Sequence, residues 1–328
     1  MKKVLLIRFS SIGDIVLTTP VIRCLKQQTG AELHFLTKQA YLPLLEANPY
    51  LDKIFTIEKK TAEVLPGLKK EGYDLIIDLH KNLRSRQVRT ALRAQVFSFK
   101  KLNFEKWLLV NFKINKLPEL HVVDRYFASV APLGVKDDGL GLDYFFPKGL
   151  MPNTPPKGVL WTIPFLAFAI GAAHRTKRLP REKTIEICKR IKQPILLLGG
   201  KNEAAEGETI AQKSGKHVTN CCGKLTLHES AKVIELAQRV IAHDTGMMHI
   251  AAAFQKEILS VWGSTVPAFG MTPYYGRQPD KNTTFEVQGL SCRPCSKIGF
   301  AGCPKGHFRC MEEQDVEAIV RRAKGQLP

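Results

Sequence analysis

The sequence predicts an α/β protein with two parallel-sheet domains that face each other across a cleft. Short apolar strands alternate with helical stretches along the whole chain, which is the pattern of parallel sheets covered by helices. The chain has 328 residues, which is more than a single hydrophobic core usually holds, and this predicts two domains. The second strand–helix series follows a segment rich in Gly, Pro and Asp, residues 137–156, which we interpret as a linker. We expect domains at 1–150 and 157–310, and a C-terminal segment, 311–328, whose helix packs back on the first domain.

The composition is that of a soluble globular protein, with 44% hydrophobic and 24% charged residues. The apolar run 4–7 is interrupted by Arg8 and does not make a secretory signal. The longest apolar stretch, 158–173, contains Pro164 and is too short to span a bilayer. We therefore expect a cytoplasmic protein whose cysteines are reduced thiols or metal ligands rather than disulfides.

The formal net charge is +19, and the positive charge is concentrated in residues 81–116. This segment has ten Lys and Arg residues and one acid, Glu105, which predicts an anion-binding surface. Three arginines are spaced to share one helix face: Arg86, Arg89 and Arg93. Interleaved aromatic residues fit base stacking, a lipid interface or the core: Phe97, Phe99, Phe104, Trp107 and Phe112.

The first strand, residues 4–9, leads into a tight turn at 10–14 and then a helix within 14–28. Pro20 is expected in the first turn of that helix or at a kink in it. A strand, a turn with glycine and a helix place ligand-binding groups beside the carboxyl ends of strands. Asp14 is either a helix cap or a general base, and a base must reach a substrate hydroxyl.

The same arrangement recurs at residues 240–254, where an apolar strand, the turn His-Asp-Thr-Gly and a helix follow one another. The N-terminus of such a helix has free N–H groups and a partial positive charge, and so favours a phosphate. Asp244 or Thr245 can cap the helix, Gly246 allows close approach of a ligand, and His249 adds a donor. An ordinary capped helix remains the alternative interpretation.

Five separated motifs, in order, resemble glycosyltransferase family 9, the ADP-heptose:lipopolysaccharide heptosyltransferases. They are VLLIRFSSIGD at 4–14, YDLIIDLHKNLRS at 73–85, KRLP at 177–180, LLLGG at 196–200 and HDTGMMHIAAA at 243–253. The resemblance covers residues 4–311. It implies a GT-B fold of two Rossmann-like domains, with the acceptor bound by the first and the nucleotide sugar by the second. It also implies an inverting reaction that uses neither a metal nor a cofactor.

The resemblance assigns roles to individual residues. It makes Asp14 the catalytic base and Lys177 the group that neutralises donor phosphate. The remaining donor-binding residues are Ser10, Ser11, Gly13, Gly199, Asp244, Thr245, Gly246 and His249. The acceptor-binding residues are His80, Lys81, Arg84, Arg86, Arg89 and Arg93. Leu179 stands where the family commonly has tryptophan, so the packing beside Lys177 is the part of the pattern that departs from the family.

The implied partners are ADP-heptose and an anionic glycolipid of the lipopolysaccharide inner core, with no nucleic acid. This places the protein in peripheral contact with the inner face of the bacterial inner membrane. One alternative is a transferase of the same fold that uses another nucleotide sugar. Others are a catalytically retired binding module and a basic RNA-binding protein, the latter supported by charge alone without an RNP-like, KH-like or zinc-knuckle pattern.

The C-terminal cysteines have the spacing of metal ligands, Cys292-x2-Cys295-x7-Cys303-x6-Cys310, with His307 among them. A structural zinc or iron–sulfur site and a set of reduced thiols both fit this spacing.

Overall fold

The structure, a computed structural model, describes residues 2–150 and 164–326. The chain divides into two compact units. The N-terminal unit comprises Met1–Lys101, Leu120–Leu150 and Tyr274–Gln278. The C-terminal unit comprises Leu102–Glu119, Met151–Pro273 and Pro279–Pro328. None of the helices in the described ranges is long and apolar enough to cross a membrane.

Strands and helices alternate in both units. The strands are β1 Lys3–Ile7, β2 Glu32–Lys38, β3 Lys53–Ile57, β4 Leu75–Asp78, β5 Gln95–Ser98, β6 Leu166–Ala169, β7 Ile195–Leu198, β8 Val218–Asn220, β9 Arg239–His243, β10 Glu257–Trp262 and β11 Asn282–Glu286. The α-helices are α1 Ile12–Val16, α2 Thr19–Thr29, α3 Leu65–Glu71, α4 Leu83–Leu92, α5 Asn103–Phe112, α6 Val122–Val130, α7 Arg181–Arg190, α8 Ala204–Ser214, α9 Leu227–Leu236, α10 Gly246–Ala253, α11 Arg309–Glu312 and α12 Val316–Ala323.

The N-terminal unit is built on a parallel sheet with the strand order β3-β2-β1-β4-β5. The central strands β1 and β4 are buried almost throughout, because helices cover both faces of such a sheet. The strand order reverses direction between β1 and β4. In open parallel sheets this reversal leaves a crevice at the carboxyl ends of the two strands, where ligands bind.

The C-terminal unit repeats this design with the order β11-β10-β9-β6-β7-β8, again entirely parallel. Its reversal lies between β6 and β9. The core packs Phe168, Ile241 and Leu259 from the sheet against Ile187 of α7. The prediction of an α/β protein with two parallel sheets is therefore confirmed.

The helix predicted within 14–28 consists of two helices, α1 and α2. Pro20 lies in the first turn of α2, where its missing N–H costs no intrahelical hydrogen bond. The short α1 keeps Asp14 next to the end of β1, and α2 then packs against α6.

Residues 137–150 are not the linker that their composition indicated, because α2 holds them. Arg23 is 2% exposed, and its guanidinium donates to Asp138 at 2.7 and 2.8 Å and to the carbonyl of Gly141 at 2.9 Å. It also pairs with Asp143. A buried guanidinium requires such partners, so this segment is fixed to the N-terminal unit. The rest of the predicted linker, 151–156, lies outside the described residues, as does the 158–163 part of the long apolar stretch.

The last helix, α12, belongs to the C-terminal unit and packs there against α7 and β10, whereas the sequence analysis assigned it to the first domain. Its buried residues Val316, Ile319, Val320 and Ala323 recur at helical spacing and join the core of the second sheet. Asp315 caps the helix by accepting the N–H of Ala318 at 2.9 Å.

Candidate active-site residues

Arg8 follows β1 and anchors the first turn of the N-terminal unit. Its side chain is nearly buried. Nε donates to the carbonyl oxygen of Ser10 at 2.8 Å, and Nη1 donates to the carbonyl oxygen of Leu79 and to the hydroxyl of Tyr126. Because Leu79 follows β4, Arg8 connects the ends of the two strands between which the order reverses.

Asp14 lies beside Arg8, with its Oδ1 2.5 Å from Nη2 of the guanidinium. Its Oδ2 accepts hydrogen bonds from the N–H of Ser11 at 3.0 Å and from the Ser11 hydroxyl at 2.8 Å. Burial alone would raise the pKa of Asp14. The opposing effect of Arg8 and Ser11 is larger, so the pKa of Asp14 lies below its usual range. The carboxylate thus caps α1, stays ionised and remains 22% exposed.

Asp78 ends β4 on the other side of this reversal and is fully buried. Its Oδ1 accepts the N–H groups of His80 and Lys81 at 3.0 and 2.6 Å, and its Oδ2 lies 3.2 Å from Nε of Arg89. Burial, together with Arg8 and Lys101, lowers the pKa of His80 to about 3. His80 is therefore neutral at physiological pH and contributes no positive charge to the predicted acceptor surface.

The basic helix face is only partly as predicted. Arg84 and Arg86 are exposed on α4, whereas Arg89 is half-buried against Asp78. Arg93 does not continue the face: it takes a left-handed conformation at φ 55° and ends the helix. The spacing argument fails at this residue because the helix stops one residue before it.

In the C-terminal unit, Lys177 and Asp244 meet at the carboxyl ends of β6 and β9, where the second strand order reverses. Nζ of Lys177 lies 2.6 Å from Oδ2 of Asp244 and 3.4 Å from its carbonyl oxygen. The hydroxyl of Thr265, which follows β10, donates to the same Oδ2 at 2.8 Å. Both members of the pair are largely but not fully buried, with side chains that are 15% and 13% exposed.

The N-terminus of α10 adjoins this pair. Thr245 is the N-cap, and its hydroxyl is buried without a hydrogen-bond partner among the residues that the structure describes. Gly246 is half-buried, whereas His249 is only 2% exposed. The predicted strand–turn–helix is confirmed here, but His249 belongs to the buried side of the helix.

The departure at Leu179 is compatible with this arrangement. Leu179 is 2% exposed and packs in the core of the second sheet. Its N–H donates to Nε2 of His243 at 3.0 Å, which ties the loop carrying Lys177 to the end of β9. Burial, with Arg178 and Arg175, lowers the pKa of His243 to about 3, so this nitrogen stays an acceptor.

The other predicted donor-binding residues are engaged in local structure. The carbonyl of Gly13 accepts the N–H of Leu17 at 2.9 Å, and the carbonyl of Gly199 accepts the N–H of Gly223 at 3.0 Å. A Cβ at Gly199 would lie 2.9 Å from the Cβ of Glu203, so close packing requires glycine there. A cavity of about 500 Å³ opens beside the Lys177 loop. Its lining residues are Arg175, Pro180, Arg181, Glu182, Ala205, Glu206 and Thr209.

The four C-terminal cysteines are free thiols. Burial raises the pKa of Cys310 to about 12 and also raises that of Cys295, which holds both protonated. Among the described residues, metal-ligating atoms within 4.8 Å of one another occur elsewhere, at Cys24–Asp137–Asp138 and at Glu32–His34–Glu71. The structural metal site and the set of reduced thiols both stay predictions for these cysteines.

Two residues of these sites were missed by sequence reasoning, Arg8 and Thr265. Arg8 lies inside the first motif, and an arginine that interrupts a buried apolar strand is a signal that it has a buried partner. Thr265 gave no signal, because a threonine after a strand is common in turns.

Solved structures with the same architecture are glycosyltransferases. A glycosyl transferase family 9 structure from Veillonella parvula has a TM-score of 0.71 at 21% identity and covers 86% of this chain and 85% of that chain. E. coli heptosyltransferase WaaC with ADP has a TM-score of 0.70 at 18% identity, covering 98% and 99%. These matches confirm the fold class, GT-B with two Rossmann-like parallel-sheet units.

The chain belongs to glycosyltransferase family 9 (heptosyltransferase), whose model matches residues 62–299. Lipopolysaccharide heptosyltransferase 1 of Pseudomonas aeruginosa is 26% identical over 323 residues, which span 90% of this chain and 86% of that relative. The protein is therefore an enzyme that transfers a glycosyl group, as the resemblance implied.

Proposed function

We propose that the protein transfers a heptose from ADP-heptose to an anionic acceptor of the lipopolysaccharide inner core, with inversion and without a metal ion. The names of its relatives and the ADP carried by the solved E. coli enzyme support this choice. The observation that carries the proposal is the set Lys177, Asp244 and Thr265 at the N-terminus of α10. This set suits the diphosphate of a nucleotide sugar.

On the donor side, the departing diphosphate gains negative charge as the glycosidic bond breaks. Lys177 and the free N–H groups at the start of α10 meet that charge, and they are fixed before the reaction begins. Asp244 holds Lys177, and Thr265 in turn holds the carboxylate of Asp244. The hydroxyl of Thr245 adds a further donor.

On the acceptor side, Asp14 accepts the proton of the attacking hydroxyl. The oxygen of that hydroxyl bonds to the anomeric carbon as the bond from this carbon to the phosphate oxygen breaks. The electron pair leaves with ADP. Attack from the face opposite to ADP inverts the anomeric centre.

The low pKa of Asp14 makes the carboxylate a weak base. It takes the proton only once the hydroxyl has become acidic by bonding to the anomeric carbon. Arg8 has two effects here: it keeps Asp14 ionised despite burial, and it aims the carboxylate. We therefore infer that Arg8 is a positioning residue for the base.

The acceptor carries sugar acids and phosphates, which suits the exposed side chains of Lys81, Arg84 and Arg86. Because this acceptor is a lipid, we place the enzyme in peripheral contact with the inner face of the inner membrane.

Replacing Arg8 with methionine is expected to move the acid limb of the kcat/KM profile towards neutral pH. Without the guanidinium, burial dominates and raises the pKa of Asp14, so the base is lost by protonation at a higher pH. In the native enzyme this limb lies below the usual range of an aspartate. The measurement is kcat/KM from pH 4 upwards.

Arg8→Lys keeps a cation near Asp14 and should leave the limb close to its native position. Superimposable profiles of the native, Met and Lys enzymes would show that Arg8 does not set the pKa of the catalytic base.

The donor is tested by thermal unfolding with ADP-heptose, ADP and sugar conjugates of UDP and GDP. A ligand at a hundredfold excess over its Kd stabilises the folded state by about 2.7 kcal/mol. ADP-heptose is expected to raise the Tm most, followed by ADP. A larger rise with a uridine or guanosine conjugate would assign the enzyme another nucleotide sugar.

A further inference from the structure

The outward surface of α5 carries three exposed aromatic side chains, Phe104 at 65%, Trp107 at 45% and Phe112 at 58%. Trp107 stacks on Phe104, with 6.1 Å between ring centroids, and meets Phe112 edge-on at 5.1 Å. The rings form one contiguous surface, which we call the α5 aromatic patch. Contiguous apolar surface of this kind marks an interaction site more often than single exposed residues do.

A loop of the same unit extends this surface. Nζ of Lys297 donates to the carbonyl oxygen of Asn103 at 3.2 Å, which places the loop 296–300 beside the start of α5. The loop exposes Ile298 at 62% and Phe300 at 39%. Ile114, just after the helix, is also exposed.

The opposite side of α5 is fixed to the C-terminal unit. Leu109 is buried, and Nζ of Lys106 lies 5.7 Å from the ring centre of Phe269. Nζ of Lys113 donates to the carbonyl oxygens of Val110 and Pro294 at 2.7 and 2.8 Å. With this side anchored, the aromatic patch is held outward.

The charge around the patch is positive. Residues 102–119 and 291–309 contain seven Lys and Arg residues and two Glu residues. Both arginines pair with glutamates, Arg293 with Glu286 and Arg309 with Glu313. The five lysines are Lys106, Lys113, Lys116, Lys297 and Lys305.

This combination favours an anionic bilayer over a second copy of the chain. Trp and Phe are favoured at the membrane interface, where a helix with one apolar face lies in the plane of the headgroups. Lysines near the surface attract anionic headgroups. Two copies of a chain with a net charge of +19 repel each other instead.

We propose that the α5 aromatic patch and its surrounding lysines dock the C-terminal unit on a bilayer that contains anionic phospholipids. The aromatic rings insert at the headgroup level, and the lysines contact lipid phosphates. The proposal rests on the glycolipid acceptor proposed above. Its test measures binding without turnover, so either proposal can fail alone.

The experiment is co-sedimentation with vesicles of phosphatidylcholine, with and without phosphatidylglycerol. The native protein should bind the anionic vesicles. The double variant Phe104→Ser/Trp107→Ser should lose about tenfold in partition coefficient for each aromatic side chain removed from the interface. Leu236→Ser, a matched change of an exposed apolar residue on α9, should bind as the native protein does.

Charge is tested by two variants of equal net charge. Lys116→Glu/Lys305→Glu should weaken binding by about fivefold for each lysine lost beside the surface. Lys189→Glu/Lys192→Glu, a change of two exposed residues at the end of α7, should have a smaller effect. If the two pairs of substitutions weakened binding equally, the net charge of the protein would account for its attraction to the vesicles, and the proposed site would be wrong.

Two further readouts separate the outcomes. Brominated phospholipid should quench the native fluorescence more than that of Trp107→Phe, because this variant keeps the other two tryptophans of the chain and the difference therefore reports Trp107. Turnover with a lipid-free acceptor fragment should be the same in the native and double-serine enzymes. Native-like vesicle binding by the double-serine variant would overturn the proposal. The proposal would also be overturned if the native protein did not bind vesicles but formed an oligomer, and if the double-serine variant were monomeric.

Discussion

Asp14→Asn is expected to lower turnover at least about 100-fold while the variant still folds and binds ADP, because general-base catalysis contributes about 10²–10⁴-fold. The structure makes this substitution informative, because the carboxylate of Asp14 also accepts the N–H of Ser11, the N-cap residue of α1. Asparagine keeps an oxygen that can accept the N–H of Ser11, so this hydrogen bond is retained, while the negative charge and its ion pair with Arg8 are lost. The measurement is ADP release under saturating substrates, with calorimetry for ADP binding.

Asp124→Asn is the matched control. Asp124 occupies the same position in the first turn of α6, where its carboxylate accepts the N–H of His121 at 2.9 Å. It should lose little activity, because it caps a helix without any assigned catalytic role. A folded Asp14→Asn enzyme within a few-fold of native turnover would show that the proton goes to another group.

Lys177→Ala is expected to weaken ADP binding by about 10- to 100-fold, since a hydrogen bond to a charged group contributes about 1.5–3 kcal/mol. The loss has two parts. The phosphates lose a cation, and Asp244 is left without its partner and repels them. Calorimetry with ADP measures the sum of both.

Two variants separate these parts. Lys177→Ala/Asp244→Asn removes the repulsion and should recover part of the affinity, whereas Lys177→Arg should retain most of it. Lys213→Ala, on the exposed end of α8, is the control for removal of one positive charge. If Lys177→Ala bound ADP as tightly as the native enzyme, the assignment of Lys177 to the donor site would be wrong.

Local patterns predicted much of the fold. Runs such as residues 75–78 and 195–198 are short, apolar and bounded by turns, which is the sequence pattern of buried parallel strands. The turn–helix after β9 was predicted from Thr245 and Gly246 in the same way. The order of strands in each sheet depends on contacts between distant parts of the chain. The positions of the two reversals, between β1 and β4 and between β6 and β9, therefore could not be predicted from local patterns.

The largest error comes from contact between residues far apart in the chain. Arg23 binds carboxylates 115 and 120 positions away, and this contact turns a segment with the composition of a linker into part of the N-terminal unit. Thr265 reaches Asp244 across 21 positions. Periodicity also cannot tell where a helix ends, so Arg93 was placed on a face that stops at Leu92.

The aromatic residues of the basic segment divide in a way that composition left open. Phe99 is 5% exposed and packs on Tyr126, whereas Trp107 and Phe112 face outward. Phe99 follows β5 in the N-terminal unit, whereas Trp107 and Phe112 lie on α5 of the C-terminal unit, whose buried residue is Leu109.

The interleaving of the two units limits how members of this family can be recombined. The chain passes from one unit to the other five times, since Leu102–Glu119 belongs to the C-terminal unit and Tyr274–Gln278 to the N-terminal unit. A chimera joined at a single crossover near residue 150 would inherit α5 from one parent and the loop that supports it, 291–300, from the other. Exchanging units between relatives therefore requires these short segments to be exchanged together with the unit to which they belong.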